Sequence, residues 1–304
     1  MGEQTAIRLN NICKQYRVGF WGRKITVLDN LNLEVRRGEI FGYLGANGSG
    51  KTTTFKVMLD LIRPDSGEIY YFGRKAGIVS RRQVGFLPEN PYFYMYLTAF
   101  ESLNFYGRLK GMNGKERKKK IEYLLKLVDL QHACKRSLRK FSRGMLQRLG
   151  IAQAMINDPE IMILDEPMSG LDPIGRKQMR DIILSCREQG KTIIFSSHIL
   201  SDVEILCDRA AIIRKGKLQG VFNVGEMLDD KIESWEITCT NLVDENMVAE
   251  YIVHRSGNRT LLRVNDEQKA KRIIFMLEDR GIRVISFVPH RESLEDYFRN
   301  RSHK

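Results

Sequence analysis

The sequence lacks the features by which a chain enters a membrane or builds a disulfide framework. No apolar run reaches the roughly 18 residues needed to span a bilayer, and the N-terminus has no apolar stretch of signal-peptide length. The five cysteines are far apart with no C-x-x-C pair, which argues against a zinc site and for reduced thiols in a cytosolic protein. They are Cys13, Cys134, Cys186, Cys207 and Cys239. Any connection to a membrane is therefore expected to run through a partner.

Positive charge, by contrast, is abundant. The 304 residues carry a formal net charge of +13, and part of the excess is clustered at 115–120 and 135–143. Such a balance suits anionic partners, namely a nucleotide, an acidic membrane surface or nucleic acid. A solvated helix face is the alternative explanation of 115–120 taken alone. The length is sufficient for two domains, at least one of them with a sizeable core.

The most informative segment is 45–52, which reads G-A-N-G-S-G-K-T. It lies between an apolar strand predicted at 40–44 and a helix predicted at 52–61. The glycines allow successive backbone N–H groups to curl around phosphate oxygens. Lys51 can reach the β- and γ-phosphates, Thr52 is a natural Mg²⁺ ligand, and the helix directs its positive end at the same anion. This pattern predicts a site for a nucleoside triphosphate with Mg²⁺.

A second chemical signal is the segment 161–166, which reads I-M-I-L-D-E. It predicts a buried strand that ends in two acids, Asp165 and Glu166, at the nucleotide edge of a parallel sheet. Adjacent residues of a strand face opposite ways, so one carboxylate can hold Mg²⁺ through a water while the other acts as general base. A solvated strand end is the alternative for this segment taken alone.

Short apolar stretches bounded by turn residues alternate with helical patterns, which predicts an α/β fold with a mostly parallel sheet. Strands are predicted at 6–9, 31–35, 40–44, 69–72, 84–87, 161–165, 192–196 and 210–214. A helical period between 101 and 157 predicts a helical insertion.

Beyond Gly220 the pattern becomes that of a small α+β appendage. Its strands are predicted at 235–240, 259–264 and 283–288, and its helices at 245–253, 267–280 and 293–299. We therefore predict two domains, residues 1–220 with a helical subdomain at about 90–158, and residues 221–304.

Six short motifs follow one another at spacings typical of one protein family. They are G-A-N-G-S-G-K-T at 45–52, F-L-P-E at 86–89, F-S-R-G-M at 141–145, I-L-D-E-P at 163–167, S-G-L-D-P at 169–173 and S-S-H at 196–198. This order resembles the ATP-binding subunit of ABC transporters over residues 5–220. The resemblance is specific, because the signature (141–145) and the D-loop (169–173) are absent from other phosphate-loop proteins. It implies a P-loop NTPase domain of the ABC type that binds and hydrolyses ATP.

The resemblance also implies roles for individual residues. Tyr16 matches the aromatic ring that stacks on adenine, with an ordinary strand-end tyrosine as the alternative. Asp165 matches the acid that organises the metal, Glu166 the residue that polarises the hydrolytic water, and His198 the switch histidine at the γ-phosphate. The contacts to phosphate and magnesium fall on Gly45, Asn47, Gly48, Gly50, Lys51, Thr52 and Thr53. The implied catalytic set is Glu166, His198 and Lys51.

A further implication is that two ATPase domains act together. Ser142 and Gly144 match the signature that closes over the nucleotide of the opposite subunit, and Asp172 falls in the D-loop, which crosses that interface. Since the chain carries one such domain, we expect it to pair with a second ATPase subunit, as a homodimer.

Two departures from the common family pattern concern turnover. Glu89 stands where much of the family has glutamine, at a loop that contacts Mg²⁺ and senses the permease. Arg143 and Met145 replace glycine and glutamine of the common L-S-G-G-Q signature. Arg143 either adds a cationic contact to the phosphate of the other subunit or faces solvent, and we favour solvent. We expect retuned turnover and not loss of activity.

The aromatic segment 91–100 follows Glu89 directly. In the family this surface receives a cytoplasmic helix of the membrane subunit, and amphipathic aromatics suit a protein interface. Core packing of the helical insertion is an equal alternative. Phe20 and Trp21 are predicted at the top of a hairpin, with no assigned function.

We expect the chain to power transport, in the export direction, through a separately encoded integral membrane permease. Its location would be cytoplasmic, peripheral on the inner face of the membrane. The alternative is a soluble ABC-type ATPase that acts on nucleic acid or ribosomes, which the charge would accommodate. Because known proteins of that kind have two ATPase domains or long coiled coils, we expect no nucleic-acid partner. A regulator that hardly hydrolyses ATP is disfavoured by Asp165, Glu166 and His198. The appendage is expected to brace the dimer.

Overall fold

The computed structural model describes residues 5–19, 22–76, 83–229, 232–240 and 248–291. The chain divides into two compact units, Met1–Val224 and Gly225–Lys304. The predicted domain boundary at residue 220 therefore lies inside the last strand of the first unit, Lys217–Asn223.

The elements of the first unit follow one another in α/β order. Its strands are β1 (Thr5–Val18), β2 (Arg23–Arg36), β3 (Ile40–Leu44), β4 (Ser66–Tyr71), β5 (Arg74–Lys75), β6 (Val84–Leu87), β7 (Ile161–Leu164), β8 (Thr192–Ser197), β9 (Arg209–Arg214) and β10 (Lys217–Asn223). Its helices are α1 (Lys51–Met58), α2 (Ala99–Leu109), α3 (Gly114–Leu127), α4 (Arg143–Ala154), α5 (Pro173–Glu188) and α6 (Leu200–Leu206). Short helix α7 (Val224–Asp229) lies at the division.

The central sheet has six strands in the order β10-β9-β3-β8-β7-β6. All of its pairs are parallel except β10 with β9. Every residue of β3, β7 and β8 is buried, which is why these strands read as continuous apolar runs. The predicted mostly parallel sheet is confirmed. Since β3, β8 and β7 are neighbours and run the same way, the segments that follow them meet at one edge of the sheet.

A second, antiparallel sheet has the order β2-β1-β4-β5. Its strands β1 and β2 are each 14 residues long, whereas the sequence predicted only 6–9 and 31–35. Register shifts interrupt their ladder, and Asn11 and Asn30 have φ of 51° and 50°. These irregularities break the alternation of apolar and polar residues. The rest of β1 and β2, which is mostly polar, therefore lacks the two-residue repeat by which a strand is predicted.

Helices α2, α3 and α4 form the predicted helical insertion and contact one another. Each begins at a side-chain cap: Thr98, Asn113 and Ser142 accept a hydrogen bond from a backbone N–H three residues later. The apolar residues that recur along α2 and α3, such as Leu103 and Leu124, are fully buried. The helical period therefore reports a packed face of each helix.

The second unit is a four-stranded antiparallel sheet with one helix. Its strands are β11 (Ile232–Thr240), β12 (Ile252–Ser256), β13 (Arg259–Val264) and β14 (Val284–Arg291), in the order β12-β13-β11-β14, and its helix is α8 (Glu267–Asp279). Ala270, Ile273 and Leu277 of α8 lie in one buried cluster with Ile237 and Leu262 of the sheet. The three predicted strands and the central helix of this unit are confirmed.

The predicted helix at 245–253 is wrong over its described part. A single 3-10 turn at Ala249–Tyr251 leads into β12, which pairs with β13. Pairing with a neighbouring strand has overridden a local helical pattern. The predicted helix at 293–299 and the predicted hairpin tip at Phe20 and Trp21 lie outside the described residues.

Helix length and polarity bear on membrane insertion. Within the described ranges, no helix combines the length and the apolar character that a crossing of the bilayer requires.

Candidate functional site

The loop between β3 and α1 has the backbone geometry of an anion cradle. Gly48 and Gly50 have φ of 78° and 113°, which side chains rarely tolerate. A Cβ added to Gly45 would lie 2.4 Å from Ser49 Oγ, and one added to Gly50 would lie 3.0 Å from the Val27 carbonyl. The loop is therefore closed tightly enough to exclude side chains at these positions. Helix α1 begins at Lys51, and its first backbone N–H groups have no partners within the helix.

Lys51 is buried at the start of α1, with 6% of its side chain exposed. Its ammonium donates to the Gly45 carbonyl at 2.5 Å and lies 3.2 Å from Glu166 Oε1. The contact with Glu166 is an ion pair without hydrogen-bond geometry, since Oε1 has no hydrogen-bond partner. The positive charge of Lys51 is thus held over the loop by groups that an anion could replace.

A hydrogen-bond network joins the loop to the end of β7. Thr52 Oγ1 donates to Asp165 Oδ2 at 2.8 Å, and Ser196 Oγ of β8 donates to Asp165 Oδ1 at 2.6 Å. The same Ser196 oxygen accepts from the Glu166 backbone N–H at 2.8 Å. Asp165 is buried, so both of its oxygens are fixed by hydroxyl donors.

Glu166 does not lie on the strand as the sequence predicted. Strand β7 ends at Leu164, and Glu166 has a positive φ of 48°. The side chains of the two acids are therefore directed apart by the backbone turn after β7, and not by the alternation of side chains along a strand. Glu166 Oε2 lies 2.8 Å from His198 Nδ1, directly after β8. Glu166 is thus placed between an ammonium and an imidazole.

One cavity of about 470 Å³ lies at this edge of the sheet. It is lined by Val27, Ala46, Asn47, Gly48, Gly50, Lys51, Thr52, Thr53, Glu89, Glu166, Ser169 and His198. The cavity brings together most of the residues predicted to contact phosphate, the predicted catalytic set and Glu89. Three lining residues were not predicted as site residues, namely Val27, Ala46 and Ser169. Ala46 belongs to the phosphate-loop motif and Ser169 opens the D-loop motif, whereas Val27 of β2 carries no motif signal.

Several predicted residues lie outside the cavity wall. Asp165 lies behind the wall and accepts a hydrogen bond from Thr52, which lines the cavity. Gly45, the first residue of the loop, is packed against Ser49 and Ile213. Tyr16 is 36% exposed on β1, where Lys14 Nζ lies 5.7 Å from its ring centroid. The structure does not bring Tyr16 into contact with the phosphate loop cavity.

The signature lies at the start of α4, where Ser142 caps the helix through the Met145 N–H at 3.2 Å. Arg143 is exposed, but its guanidinium also covers Gly170 of the D-loop. A Cβ on Gly170 would lie 2.5 Å from Arg143 Nη1. The sequence predicted exposure and missed this contact, because it joins segments 27 residues apart. Like Ser142, Gly144 and Asp172 are absent from the cavity wall.

The D-loop leads directly into α5. Asp172 caps this helix, since its Oδ1 accepts from the Gly175 N–H at 2.6 Å. The loop at Glu89 is tied in turn to the signature helix, because Gln147 Nε2 donates to the Glu89 carbonyl at 2.8 Å. Contacts thus join the signature to the D-loop and to the loop at Glu89, which borders the cavity.

Comparison with known proteins agrees with this geometry. Residues 28–169 match the family described as ABC transporter. The chain is 44% identical to an ABC transporter ATP-binding protein of Synechocystis, over 94% of this chain and 82% of that protein. It is 39% identical to a bacitracin transport ATP-binding protein of Bacillus licheniformis, over 97% and 96%. Among solved structures, it is similar to a dimeric ATP-binding cassette in a post-hydrolysis state bound to ADP and Pi. That likeness has a TM-score of 0.65 and 27% identity and covers 72% of this chain and 98% of the other.

Proposed function

Because the chain belongs to the ABC transporter ATP-binding proteins, we propose that it uses Mg²⁺ and ATP in the cavity at the phosphate loop to drive export through a separate membrane permease. The fold is that of a P-loop ABC cassette, and the enzyme is an ATPase. The site assignment depends on one observation. Lys51, Glu166 and His198 line one cavity, and they follow the neighbouring strands β3, β7 and β8 in the chain.

The triphosphate would lie over the loop between β3 and α1. Backbone N–H groups of Asn47, Gly48 and Gly50, together with Lys51 and the start of α1, supply the positive potential for it. Lys51 would exchange its ion pair with Glu166 for the β- and γ-phosphates. Tyr16, exposed on β1, presents a flat ring on which adenine could stack.

The donor set near Thr52 fits a magnesium ion. Mg²⁺ prefers oxygen ligands, and Thr52, Asp165 and Glu89 offer a hydroxyl and two carboxylates in this part of the site. When bound, the ion supplies neutralisation of the charge on the β- and γ-phosphate oxygens. Asp165 would hold the Thr52 hydroxyl in position, because Ser196 fixes its other oxygen.

Hydrolysis needs a group that accepts the proton of the attacking water. Glu166 is suited to this role because its carboxylate reaches the cavity and is oriented by His198 Nδ1 at 2.8 Å. His198 is itself exposed to the cavity, where it would contact the γ-phosphate.

The remaining predicted groups suit a site that a second copy completes. Ser142 and Gly144 lie at the start of α4 and Asp172 at the start of α5, and all three are on the surface or partly buried. In the proposal they close over the nucleotide of the partner subunit, so that two chains bind two ATP molecules at their seam.

Docking on the permease is assigned to an exposed aromatic surface, formed by Tyr92, Tyr94, Tyr96 and Phe105. Tyr94 lies between the other rings, with centroids 6.3, 5.9 and 5.8 Å away. Tyr92 and Tyr96 are 81% and 66% exposed, whereas Phe93 is buried in the core. Exposed aromatics of this kind suit a protein interface. Through this partner the chain would be peripheral on the cytoplasmic face of the membrane.

The export direction is proposed from the relatives of this chain and from two of its motifs. The relatives include a bacitracin transport protein and, at 37% identity, a lantibiotic transport ATP-binding protein of Streptococcus pyogenes. The signature variant and the F-L-P-E loop point the same way. A role on nucleic acid is not favoured.

Two substitutions test the site. Glu166→Gln should keep ATP affinity, trap an ATP-bound dimer and abolish turnover, because the amide cannot accept the proton. Lys51→Ala should weaken ATP binding by about tenfold or more, since charge-assisted phosphate contacts are among the stronger polar ones. ATP binding by calorimetry, dimer mass by light scattering and phosphate release are the measurements.

The matched controls are Glu122→Gln and Lys119→Ala, both on the exposed side of α3. These variants should behave as the parent chain. Unchanged hydrolysis in Glu166→Gln would remove Glu166 from the role of general base, and equal ATP affinity in Lys51→Ala would overturn the phosphate-loop assignment.

A further inference from the structure

A buried carboxylate that the proposed mechanism does not use lies close behind the catalytic edge. Asp202 is the third residue of α6, four residues after His198, and its side chain is 2% exposed. Both of its oxygens are buried, and neither has a hydrogen-bond partner. Burying an ionised carboxylate without hydrogen bonds is unfavourable, so packing alone does not explain why an aspartate occupies this position.

The cations that pair with Asp202 come from α5. Arg180 Nη1 lies 3.7 Å from Oδ1, and Arg176 Nη1 lies 4.0 Å from Oδ2. The two arginines are one helical turn apart, so they flank the carboxylate from one face of α5. Both separations exceed hydrogen-bond length, which leaves a loose ion pair that a small shift of either helix would tighten or break.

The electrostatic balance at Asp202 agrees with this incomplete compensation. Burial raises the pKa of the Asp202 carboxyl, although Arg176 and Arg180 act to lower it. The charge of Glu166 also raises this pKa, and His198 lowers it. Asp202 is therefore within electrostatic reach of the two groups proposed to act on the γ-phosphate.

Each helix of this pair leads to one part of the proposed site. At one end, the Arg176 backbone N–H donates to the Asp172 carbonyl at 2.9 Å, so Arg176 lies one turn beyond the D-loop residue that caps α5. At the other end, the Ser197 hydroxyl accepts from the Ile199 N–H at 2.9 Å, which shapes the turn that carries His198 into α6.

We propose that Asp202 is a positioning residue for ATP hydrolysis, which holds the helix after His198 against the helix after Asp172 through Arg176 and Arg180. This inference rests on the proposed function, because it assumes that the D-loop meets the second subunit. When the dimer closes on Asp172, the start of α5 moves. The ion pair between the two arginines and Asp202 transmits this movement to α6, so that His198 reaches its working position only in the closed dimer.

This role predicts a separation of stability from activity. A structural salt bridge would lose stability when its acid is neutralised. The carboxylate of Asp202 is desolvated without hydrogen bonds, whereas the Arg176 and Arg180 side chains are 26% and 25% exposed and stay solvated without it. Asp202→Asn keeps the shape, removes the buried charge and leaves no buried cation behind, so it should raise the melting temperature. Its turnover should nevertheless fall.

The experiment compares the full chain with Asp202→Asn in binding, turnover and melting. We expect kcat to fall about tenfold, with the KM for ATP and the ATP affinity within about twofold of the parent. Asp202→Glu, which keeps the charge and reaches further, should retain most of kcat. Adding Arg180→Met to Asp202→Asn should cause no further loss of kcat, because the effects of substituting two coupled residues do not add.

Arg187→Met is the matched control. Arg187 lies on the same helix and forms an exposed ion pair with Asp208 at 2.6 Å, and its loss should leave kcat unchanged. The inference is overturned if Asp202→Asn keeps full turnover, or if it lowers kcat, ATP affinity and melting temperature together. If Asp202→Asn does not fold, Asp202→Glu together with Arg180→Lys decides: full turnover supports the pair, and loss of turnover in these charge-conserving variants rejects it. A parent chain that does not hydrolyse ATP would instead overturn the proposed function.

Discussion

Glu166 holds a left-handed backbone conformation that residues other than glycine rarely adopt. Its N–H donates to Ser196, and its carboxylate meets Lys51 on one side and His198 on the other. Such a conformation persists only where the surroundings determine it, and it recurs at functional sites. The turn at Glu166 therefore fixes where the proposed general base points.

The contact between Arg143 and Gly170 gives a first prediction at this scale. Gly170→Ala should lower the melting temperature, because a φ of 68° costs an alanine about 1 kcal/mol. The new Cβ also meets the far end of the flexible, exposed Arg143 side chain, which can move aside at little cost. Adding Arg143→Ala should therefore recover little of the loss. Thermal melting of the single and double variants measures this, and a double variant that melts like the parent would contradict the assignment of the loss to the backbone.

Asp202 gives a prediction in pH. Its pKa in the folded chain is raised above the unfolded value of about 3.9, so the folded state binds more protons between the two values and its stability falls as pH rises through them. Asp202→Asn has no such titration. Its gain in melting temperature should be largest at neutral pH, shrink as pH falls through the folded pKa, and vanish below both values. A gain that is constant from neutral to acidic pH would contradict the assignment of the cost to Asp202.

At the scale of elements, the cap of α2 supports the aromatic surface. Thr98 Oγ1 accepts from the Glu101 N–H at 3.2 Å, and Glu101 Oε2 accepts from the Thr98 N–H at 2.8 Å. This reciprocal pair satisfies two backbone donors at the start of the helix. The cap therefore holds the helix that carries Phe105 in its place.

We expect Thr98→Ala to lower the free energy of unfolding by about 1 kcal/mol, because it removes the N-cap acceptor. The ATP affinity should not change, since α2 supplies no residue to the cavity. Thr98→Ser, which keeps the hydroxyl, is the control and should melt close to the parent. Chemical denaturation and ATP titration test both statements; a Thr98→Ser loss equal to that of Thr98→Ala would deny the cap its role.

At the scale of the whole molecule, the aromatic surface is proposed to hold the permease. Tyr92→Ser and Tyr96→Ser should each weaken the complex, since truncating a buried interface tyrosine costs about 2 kcal/mol, or roughly 30-fold. ATP binding by the isolated chain should be unaffected. Phe275→Ser is the control, because Phe275 is 74% exposed on α8 of the other unit. Co-purification of the membrane subunit at its usual yield with both tyrosines replaced would rule out this surface.

The sequence predicted the central sheet, and the residues that follow its strands, because both signals are local. The strands β3, β7 and β8 are continuous apolar runs, and the groups that matter follow them directly, as Lys51 and His198 do. The predictions failed where the cause is distant. The extent of β1 depends on bulges and on pairing with β2, β12 exists because β13 lies beside it, and the contacts of Arg143 and Asp202 join segments with no motif between them.

The hydrogen bond from Gln147 to the Glu89 carbonyl has a consequence for communication within the pair. Glu89 borders the cavity proposed to bind this chain's own nucleotide. Gln147 lies on α4, whose cap Ser142 is proposed to face the nucleotide of the other chain. Only Asn90 and Pro91 separate Glu89 from Tyr92. A force that the membrane subunit applies at Tyr92 would therefore reach both ATP molecules. Contact of one permease subunit with this surface would couple the two nucleotide sites.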